Sequence, residues 1–198
     1  MNTQLQKKVV KRVFSLIELV LGLGVLAFGI ASVTALLSRS LSTNRVSIGE
    51  TYTATHGDQL LHFYSARMRA ESESMDNWDA WGTSLPTEKV GESDEKTTTE
   101  WEQWYGDAIV AYGRSGTSPS LHRIIQKNAL GDVEYQAVCR VWRSPIVLYN
   151  YSSGNWATET LAYGEAMVLN LEISWPAQLP YARRRKSLFQ LEVYNRSS

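Results

Sequence analysis

The sequence is poor in the residues from which metal centres, disulfides and most catalytic sites are built. Its 198 residues include one cysteine, Cys139, and three histidines, His56, His62 and His122. A single cysteine forms no disulfide within the chain and no zinc site of the Cys/His type, so we interpret Cys139 as a buried thiol. His56 and His62 are six residues apart, which does not place two ligands on one helical face. We therefore expect no metal and no cofactor.

Catalytic motifs are missing as well. The sequence has no Gly-x-Ser-x-Gly, no glycine-rich phosphate loop before a helix and no His-Glu-x-x-His. His122 stands beside Arg123 with no obvious acidic partner, so we expect it to have a surface or packing role. The sequence therefore predicts a protein that is not an enzyme.

An excess of charge of either sign is also lacking, since 20 basic and 20 acidic residues cancel. Nucleic acid calls for a strongly basic face, so we expect no nucleic-acid partner. The balance hides an asymmetry, because four basic residues and no acid crowd the first dozen positions: Lys7, Lys8, Lys11 and Arg12. A second basic run, Arg183–Lys186, is interpreted as a solvated loop between the last two strands.

A long apolar run follows the first basic cluster, from Phe14 to Leu37, and Glu18 is the single ionisable residue in it. As a helix the run is about 36 Å long, enough to cross a bilayer core of about 30 Å. Because the basic cluster immediately precedes the run, the positive-inside rule predicts a cytoplasmic N-terminus and export of everything after Leu37. We expect a single-pass membrane protein in contact with lipid, whose C-terminal part is periplasmic or extracellular.

Three interpretations of the apolar run compete. It is an uncleaved signal anchor, a secretory signal peptide cut at Val33-Thr34-Ala35, or a helix that assembles with its neighbours through Glu18. A signal peptide is disfavoured because its apolar region is usually only about 7–15 residues long. Small residues fall on roughly one face of the helix, where they are either incidental or allow a neighbouring helix to approach closely: Gly24, Ala27, Ala31 and Ala35.

Glu18 makes membrane insertion of the helix less favourable, since a carboxylate inside a membrane helix costs about 2.5–3.5 kcal/mol of free energy. If the chain is cut before Phe14, the new α-amine is a cation near the membrane surface. Glu18 of one molecule then pairs with the Phe14 amine of a neighbour and fixes the axial stagger between the helices. Alternatively, Glu18 extends towards the interface without a partner. The residues alone leave both alternatives open.

The segment Phe14-Ser15-Leu16-Ile17-Glu18-Leu19, with its basic flank and apolar tail, resembles the prepilin-type N-terminal cleavage and methylation motif. The chain is thereby similar to type IV pilin-like proteins and pseudopilins over about its first forty residues. The resemblance implies that a prepilin peptidase cuts between Val13 and Phe14, that Phe14 is methylated, and that Glu18 is the assembly carboxylate. It also implies other pilin-like subunits as partners.

At the cut the family usually has glycine, and sometimes alanine or serine, where this chain has Val13. Slow cleavage and an uncleaved anchor therefore both stay open as alternatives. The remainder of the chain looks more like a minor pseudopilin of the type II secretion kind than a major pilin. Its Ile173-Ser174-Trp175-Pro176 stretch is similar to the Verru_Chthon cassette pilin-like proteins.

The pattern divides the chain into five segments: a basic leader (1–13), a transmembrane and assembly helix (14–43), a helix continuation (44–70), a polar, aromatic-containing loop (71–106) and an antiparallel β head (107–198). The helix is expected over Ser15–Thr43 and again over His56–Arg69, with Gly49 and Thr51–Thr55 weakening the stretch between them. The fold class predicted is α+β, with the long N-terminal helix packed on the antiparallel sheet in a pilin-like layout.

Strands are predicted where aromatic and β-branched residues cluster, with short turns that favour antiparallel pairing: Asp107–Gly113, Leu121–Gln126, Glu134–Trp142, Ile146–Tyr151, Ala166–Trp175 and Leu188–Tyr194.

The acidic trio of Glu92, Asp94 and Glu95 lacks calcium-loop spacing, so a solvated loop is favoured over a calcium site. Aromatic residues of the polar segment form a binding surface or anchor the loop on the sheet, and the sequence does not choose between these: Trp78, Trp81, Trp101, Trp104 and Tyr105.

The function predicted is that of a structural subunit, inserted in the membrane and assembling through its N-terminal helix into a pseudopilus or a type IV pilus or type II secretion-like filament. The alternative is an uncleaved, single-span binding module with an exported β-rich head.

Overall fold

A computed structural model describes residues 15–69, 78–97, 101–106, 110–116, 120–152 and 154–195. By their internal contacts the residues form two compact units, Met1–Ser47 and Ile48–Ser198. We call the second the C-terminal unit. Helix α1 (Leu16–Arg69) supplies residues to both units, and each unit is described by itself below.

Helix α1 is continuous over 54 residues, so the two predicted helical portions are joined. Gly49 and the threonines after it are weak helix formers, but here they make tertiary contacts. Gly49 lies against the ring of Trp175, and the Thr53 hydroxyl is within 2.8 Å of the Tyr135 hydroxyl. Thr53 Oγ1 also donates to the Gly49 carbonyl at 2.7 Å. These contacts outweigh the low intrinsic propensity of the stretch.

An antiparallel sheet of six strands forms the other layer of the C-terminal unit, in the order β1-β2-β3-β4-β7-β8. Strands β5 and β6 pair only with each other among the described residues. The bounds of the eight strands are β1 Trp101–Gly106, β2 Val110–Ser115, β3 Leu121–Lys127, β4 Val133–Ser144, β5 Val147–Ser152, β6 Asn155–Thr160, β7 Ala166–Trp175 and β8 Arg185–Tyr194. One long helix and an antiparallel sheet confirm the α+β class and give a pilin-like architecture.

The segment 71–106 differs from the polar loop that we expect from its sequence. Its described part contains a π-helical turn (Asp79–Thr83), a short helix α2 (Glu92–Thr97) and strand β1. The aromatic residues of β1 have high strand propensity, but the acidic surroundings mask the signal. Strand β6 is also missing from the prediction, because its side chains are all exposed and show no apolar alternation.

The core lies between α1 and one face of the sheet. Alternate residues of β4 and β7 point towards the helix, as strand geometry requires, and are almost fully buried: Ala137, Cys139, Val141, Met167, Leu169, Leu171 and Ile173. Helix α1 contributes Leu60, Leu61, Tyr64 and Met68. Gly49 meets Trp175 at one end of β7 and Met68 lies near Met167 at the other, so α1 runs along this strand.

The opposite face of the sheet carries a buried ionic network. Arg140 of β4 pairs with Glu95 of α2 and lies 3.7 Å from Glu172 of β7. Lys89 Nζ donates to the Glu172 carboxylate at 3.0 Å, and Tyr181 donates to it at 2.8 Å. The network ties the segment around α2 and the β7–β8 connection to the sheet, and it leaves both carboxylates with cationic partners.

Two predictions of solvated loops fail at this network for one residue each, while Arg183, Arg185 and Lys186 of the second basic run are exposed as predicted. Glu95 belongs to the acidic trio, but its side chain is only 14% exposed because it bridges Arg140 and Arg184. Arg184 belongs to the second basic run, but its side chain is 6% exposed and donates to the carbonyls of Leu179 and Ala177. The sequence alone does not indicate these ion pairs, because Glu95 is far from both Arg140 and Arg184 along the chain.

Helix α1 approaches the sheet closely at Gly57. A Cβ added to this glycine would lie 2.7 Å from the Phe189 ring, whereas a Cβ on Gly24 meets nothing within 4 Å. We predict that Gly57→Ala destabilises the protein by about 1–3 kcal/mol through overpacking. Gly24→Ala is the matched control and should not lower the melting temperature of the detergent-solubilised chain. Equal effects of the two substitutions would contradict the close approach at Gly57.

Candidate functional site

Glu18 lies in the first turn of α1 and is exposed. Its backbone N–H is 3.3 Å from the Ser15 hydroxyl, and its carboxylate is 3.4 Å from the Ser15 backbone N–H. This reciprocal arrangement is a capping box, which satisfies two N–H groups that a helix start leaves without partners. The Ser-x-x-Glu spacing is visible in the sequence, so Ser15 is a site residue that the sequence analysis missed. Glu18 can cap the helix and still present a negative charge outward.

The N-terminal half of α1 has an uncovered apolar surface. Every residue from Leu16 to Arg45 is exposed, including large side chains such as Ile17, Leu21, Phe28 and Leu36. This part of α1 is long and apolar enough to cross a membrane, and none of its most apolar window is buried. Such a surface is stable only in contact with lipid or with other apolar surfaces.

Small residues also lie on this surface. Cβ atoms built on Gly22, Gly24 and Gly29 would meet nothing within 4 Å. No contact described within the chain therefore requires glycine at these positions, although glycine weakens a helix. Glycine and alanine there leave room for the close approach of another helix.

The predicted cleavage site, Val13 and Phe14, lies outside the described residues. The predicted methylation of Phe14 and the pairing of its amine with Glu18 both stay predictions for this reason. Among the residues predicted for the site, the structure places Glu18 alone, at the start of the exposed helix.

The other half of α1, from Ile48 onward, binds the sheet through polar contacts as well as through the apolar core. Thr53 meets Tyr135, His56 meets both Tyr112 and Gln126, and the Tyr64 hydroxyl lies 2.7 Å from His122 Nε2. In the buried interface these partners satisfy one another, and a displacement of the helix would leave them unsatisfied.

The two buried histidines are structural. Burial lowers the pKa of His122 to about 3, with a smaller contribution from the Arg114 charge. The pKa of His56 is also lowered by burial, although its hydrogen bonds to Gln126 and Gln59 act in the opposite direction. Both rings are therefore neutral near pH 7. The prediction of a surface or packing role for His122 is confirmed as packing.

Two aromatic residues of the segment 71–106 anchor it on the core. Trp78 is buried and donates its indole N–H to the Tyr163 carbonyl at 2.8 Å. Trp81 is half-buried, with its ring centroid 6.0 Å from that of Phe63 and 6.1 Å from that of Tyr64. For these two residues the choice left open by the sequence is settled in favour of anchoring.

Cys139 is a buried free thiol, as predicted, and burial raises its pKa. Its thiolate is therefore disfavoured, which makes it a poor nucleophile. Over the described ranges, no three residues among histidine, cysteine, aspartate and glutamate are grouped so that they could hold a metal ion.

Comparisons of the chain with protein-family models, with curated proteins and with solved structures found no match.

The buried neutral histidines make stability depend on pH. Below about pH 6.5 the unfolded chain takes up protons on these rings, whereas the folded protein takes them up only at a lower pH. We predict that these histidines leave the free energy of unfolding unchanged above pH 7 and lower it as the pH drops below 6.5, with His122 contributing up to about 1.4 kcal/mol per pH unit down to pH 4.

His122→Gln keeps an acceptor for the Tyr64 hydroxyl and removes one titrating group. It should reduce the slope of unfolding free energy against pH between 4 and 6.5, measured by denaturant titration of the full chain. His62→Gln is the control, since His62 is exposed and pairs with Asp58 on its own helix. An unchanged slope in His122→Gln would show that His122 is not buried as a neutral ring.

Proposed function

We propose that this protein is a pilin-like structural subunit. It is inserted in the membrane through the first half of α1 and assembles with other pilin-like subunits into a pseudopilus or a related filament. The observation that carries the proposal is the division of α1. One half is built into a folded unit, while the other presents an apolar surface with a carboxylate in its first turn.

Assembly exchanges lipid contacts of this surface for contacts with neighbouring helices. Hydrocarbon chains are as apolar as leucine, so apolar burial adds little, and close packing of small residues and polar pairs must stabilise the assembly. Glu18 supplies the polar partner. Cleavage between Val13 and Phe14 by a prepilin peptidase would supply its cation, the amine of Phe14, on a neighbouring subunit. The pair would compensate two charges and fix the stagger between helices.

The proposal places the N-terminus in the cytoplasm and the C-terminal unit outside the cytoplasm. The basic residues at the start of the sequence support this orientation, because lysine and arginine are retained on the cytoplasmic side. It assigns no catalysis. Support for a non-catalytic role comes from the buried Cys139 and from the two histidines whose rings are engaged by tyrosines.

A second candidate function is an uncleaved, single-span anchor that carries a binding module. Exposed aromatic residues on the β5–β6 hairpin favour it, because tyrosine and tryptophan are enriched at binding hot spots. This function needs neither cleavage before Phe14 nor a charge pair at Glu18, so the two candidates predict different N-termini.

N-terminal sequencing of the protein recovered from membranes separates the candidates. A filament subunit should begin at methylated Phe14. An intact Met1 would favour the anchor, and a start at Leu36 would show a secretory signal peptide and contradict both candidates.

Glu18→Gln tests the charge without removing the cap, because glutamine also serves at this position of a capping box. We predict that it leaves membrane insertion intact and lowers the assembled fraction about tenfold or more, since it leaves the Phe14 amine without its counter-charge. The measurement is the ratio of sheared or sedimented assemblies to membrane-bound protein.

Ser15→Ala is the matched control, because it removes the other half of the capping box and keeps the carboxylate. If Ser15→Ala is processed and assembles as the unaltered chain does, the loss in Glu18→Gln is due to the charge, whereas equal losses in the two variants would show that the cap is needed as well. Unchanged assembly of Glu18→Gln would remove the charge pair from the proposal.

A further inference from the structure

The second basic run, Arg183–Lys186, is held in place by one of its own members. Arg184 is buried, where it pairs with Glu95 and donates to two backbone carbonyls of the β7–β8 connection. The other three members of the run are exposed. Because the buried member fixes the backbone, the exposed cations need little further ordering to bind a partner.

Two of the exposed cations lie against aromatic rings. Lys186 Nζ is 3.9 Å from the centroid of the Tyr181 ring, and Arg185 Cζ is 5.9 Å from that of the Trp175 ring. As neighbours on β8, the two side chains lie on opposite faces of the sheet. An aromatic ring attracts a cation without accepting hydrogen bonds from its N–H groups as an oxygen would. Both cations are therefore oriented and can still bind an anion.

The exposed part of the run carries more positive charge than its surroundings neutralise. Arg185 Nη1 lies 3.0 Å from a carboxylate oxygen of Glu50. Over the described ranges, neither Arg183 nor Lys186 has a carboxylate partner. Two cations are therefore available to an anionic surface.

The run lies at the end of the sheet where the C-terminal unit's part of α1 begins. Arg185 is the cross-strand partner of Trp175, which packs against Gly49 of α1. The acids at this end, Asp132 and Glu134, belong to the β3–β4 turn and to β4. In the sheet order β4 is two strands away from β8, about 10 Å. The β8 edge is therefore the basic side of this end.

This end of the sheet is tethered close to the membrane that the proposed function requires. Leu37 ends the apolar run and Gly49 is the first buried residue of α1, so about 18 Å of helix separates them. This length limits the distance in every orientation of the C-terminal unit. Headgroups extend about 5–7 Å beyond the hydrocarbon core, and the Debye length is about 8 Å at physiological salt. Long basic side chains at this end are thus within electrostatic range of the headgroups.

The charges that follow the apolar run favour lipid over an acidic protein as the partner. Arg39 and Arg45 are the only charged residues between Glu18 and Glu50, and both are exposed. Glu50, the first acid beyond the run, is paired with Arg185. The chain that leaves the membrane therefore presents cations, and its first carboxylate is neutralised. Anionic headgroups attract such a charge pattern.

We propose that Arg183, Arg185 and Lys186 bind the phosphates of anionic phospholipids on the exported face of the membrane. The contact holds the C-terminal unit at the membrane surface before assembly. It rests on the membrane insertion in the proposed function, and it adds a lipid contact of the C-terminal unit to that of the apolar half of α1.

Short-range fluorescence quenching tests the contact with the full chain in vesicles. A fluorophore is attached to Leu188→Cys, an exposed position of β8 close to the run, while the native Cys139 is buried and stays unlabelled. The vesicles contain phosphatidylcholine alone or with one-third phosphatidylglycerol, and a nitroxide on a fraction of the headgroups. Quenching should be stronger with phosphatidylglycerol. The difference should vanish in about 1 M salt, where the Debye length falls to about 3 Å.

Arg183→Gln with Lys186→Gln removes the two cations that have no carboxylate partner. This pair should lower the docking equilibrium constant, taken from the quenched fraction, about fivefold for each charge. Arg67→Gln with Arg69→Gln is the matched control, because it removes the same charge from the last turn of α1, at the opposite end of the sheet. The control should leave docking unchanged.

Inorganic phosphate distinguishes a lipid surface from a free ion. At equal ionic strength, phosphate should reverse docking no more than chloride does. A stronger reversal by phosphate would assign the run to free phosphate and overturn the lipid contact.

Equal quenching in the two kinds of vesicle would overturn the proposal, and so would equal losses in the two pairs of substitutions. Quenching between two labelled copies in either lipid, lost in Arg183→Gln with Lys186→Gln, would instead assign the run to an acidic surface of a second copy. If docking fails while assembly still depends on Glu18, only the lipid contact is rejected. An intact Met1 together with assembly that ignores Glu18 would reject the proposed filament function and leave the lipid contact standing.

Discussion

The close packing of the second half of α1 against the sheet is the constraint on which the C-terminal unit depends. The apolar contacts of Leu60, Tyr64 and Met68 stabilise this packing, but they do not fix how far α1 is shifted along the sheet. The contact of Thr53 with Tyr135, those of His56, and that of Tyr64 with His122 do fix it, because each needs its partner within hydrogen-bond distance. Glycines at 49 and 57 let the two backbones come close enough for these bonds to form.

The sheet is buried differently on its two faces, and this difference explains the roles of its charged residues. The α1 face is apolar with a few polar contacts, whereas the other face buries Arg140 and Glu172 under short segments that carry Glu95, Lys89 and Tyr181. A buried ion pair contributes little net stability, but removing one partner is costly. The network therefore specifies where these segments dock more than how stable the unit is.

Much of the fold could be predicted from local patterns, and the failures have physical reasons. The apolar run identified the exposed half of α1, and alternation identified β7 and β8, because period and burial agree there. Strand β6 is exposed on both faces and left no pattern, while β1 lay in a segment whose acidic residues indicated a loop. The pairing of Glu95 with Arg184 joins residues 89 positions apart, and no single-sequence signal carries such a contact.

The candidate site also has features that could be predicted from the sequence and one that could not. Glu18 could be identified because a carboxylate in an apolar run is costly, and its capping partner Ser15 was available from the spacing alone. The exposure of the aromatic residues on the β5–β6 hairpin could not be predicted, since no local pattern indicates that these two strands pair only with each other among the described residues.

The polar contacts of Thr53, His56 and Tyr64 with the sheet also have a mechanical consequence. A pull applied to α1 along its axis would act on them in shear, since the helix lies along β7 rather than across it. These contacts would have to be displaced together, whereas a pull at right angles would open them one after another. Resistance to force is governed by the rate of unfolding, so this geometry favours a long lifetime under axial tension. We therefore expect the C-terminal unit to resist tension best along the axis of the part of α1 that it contains.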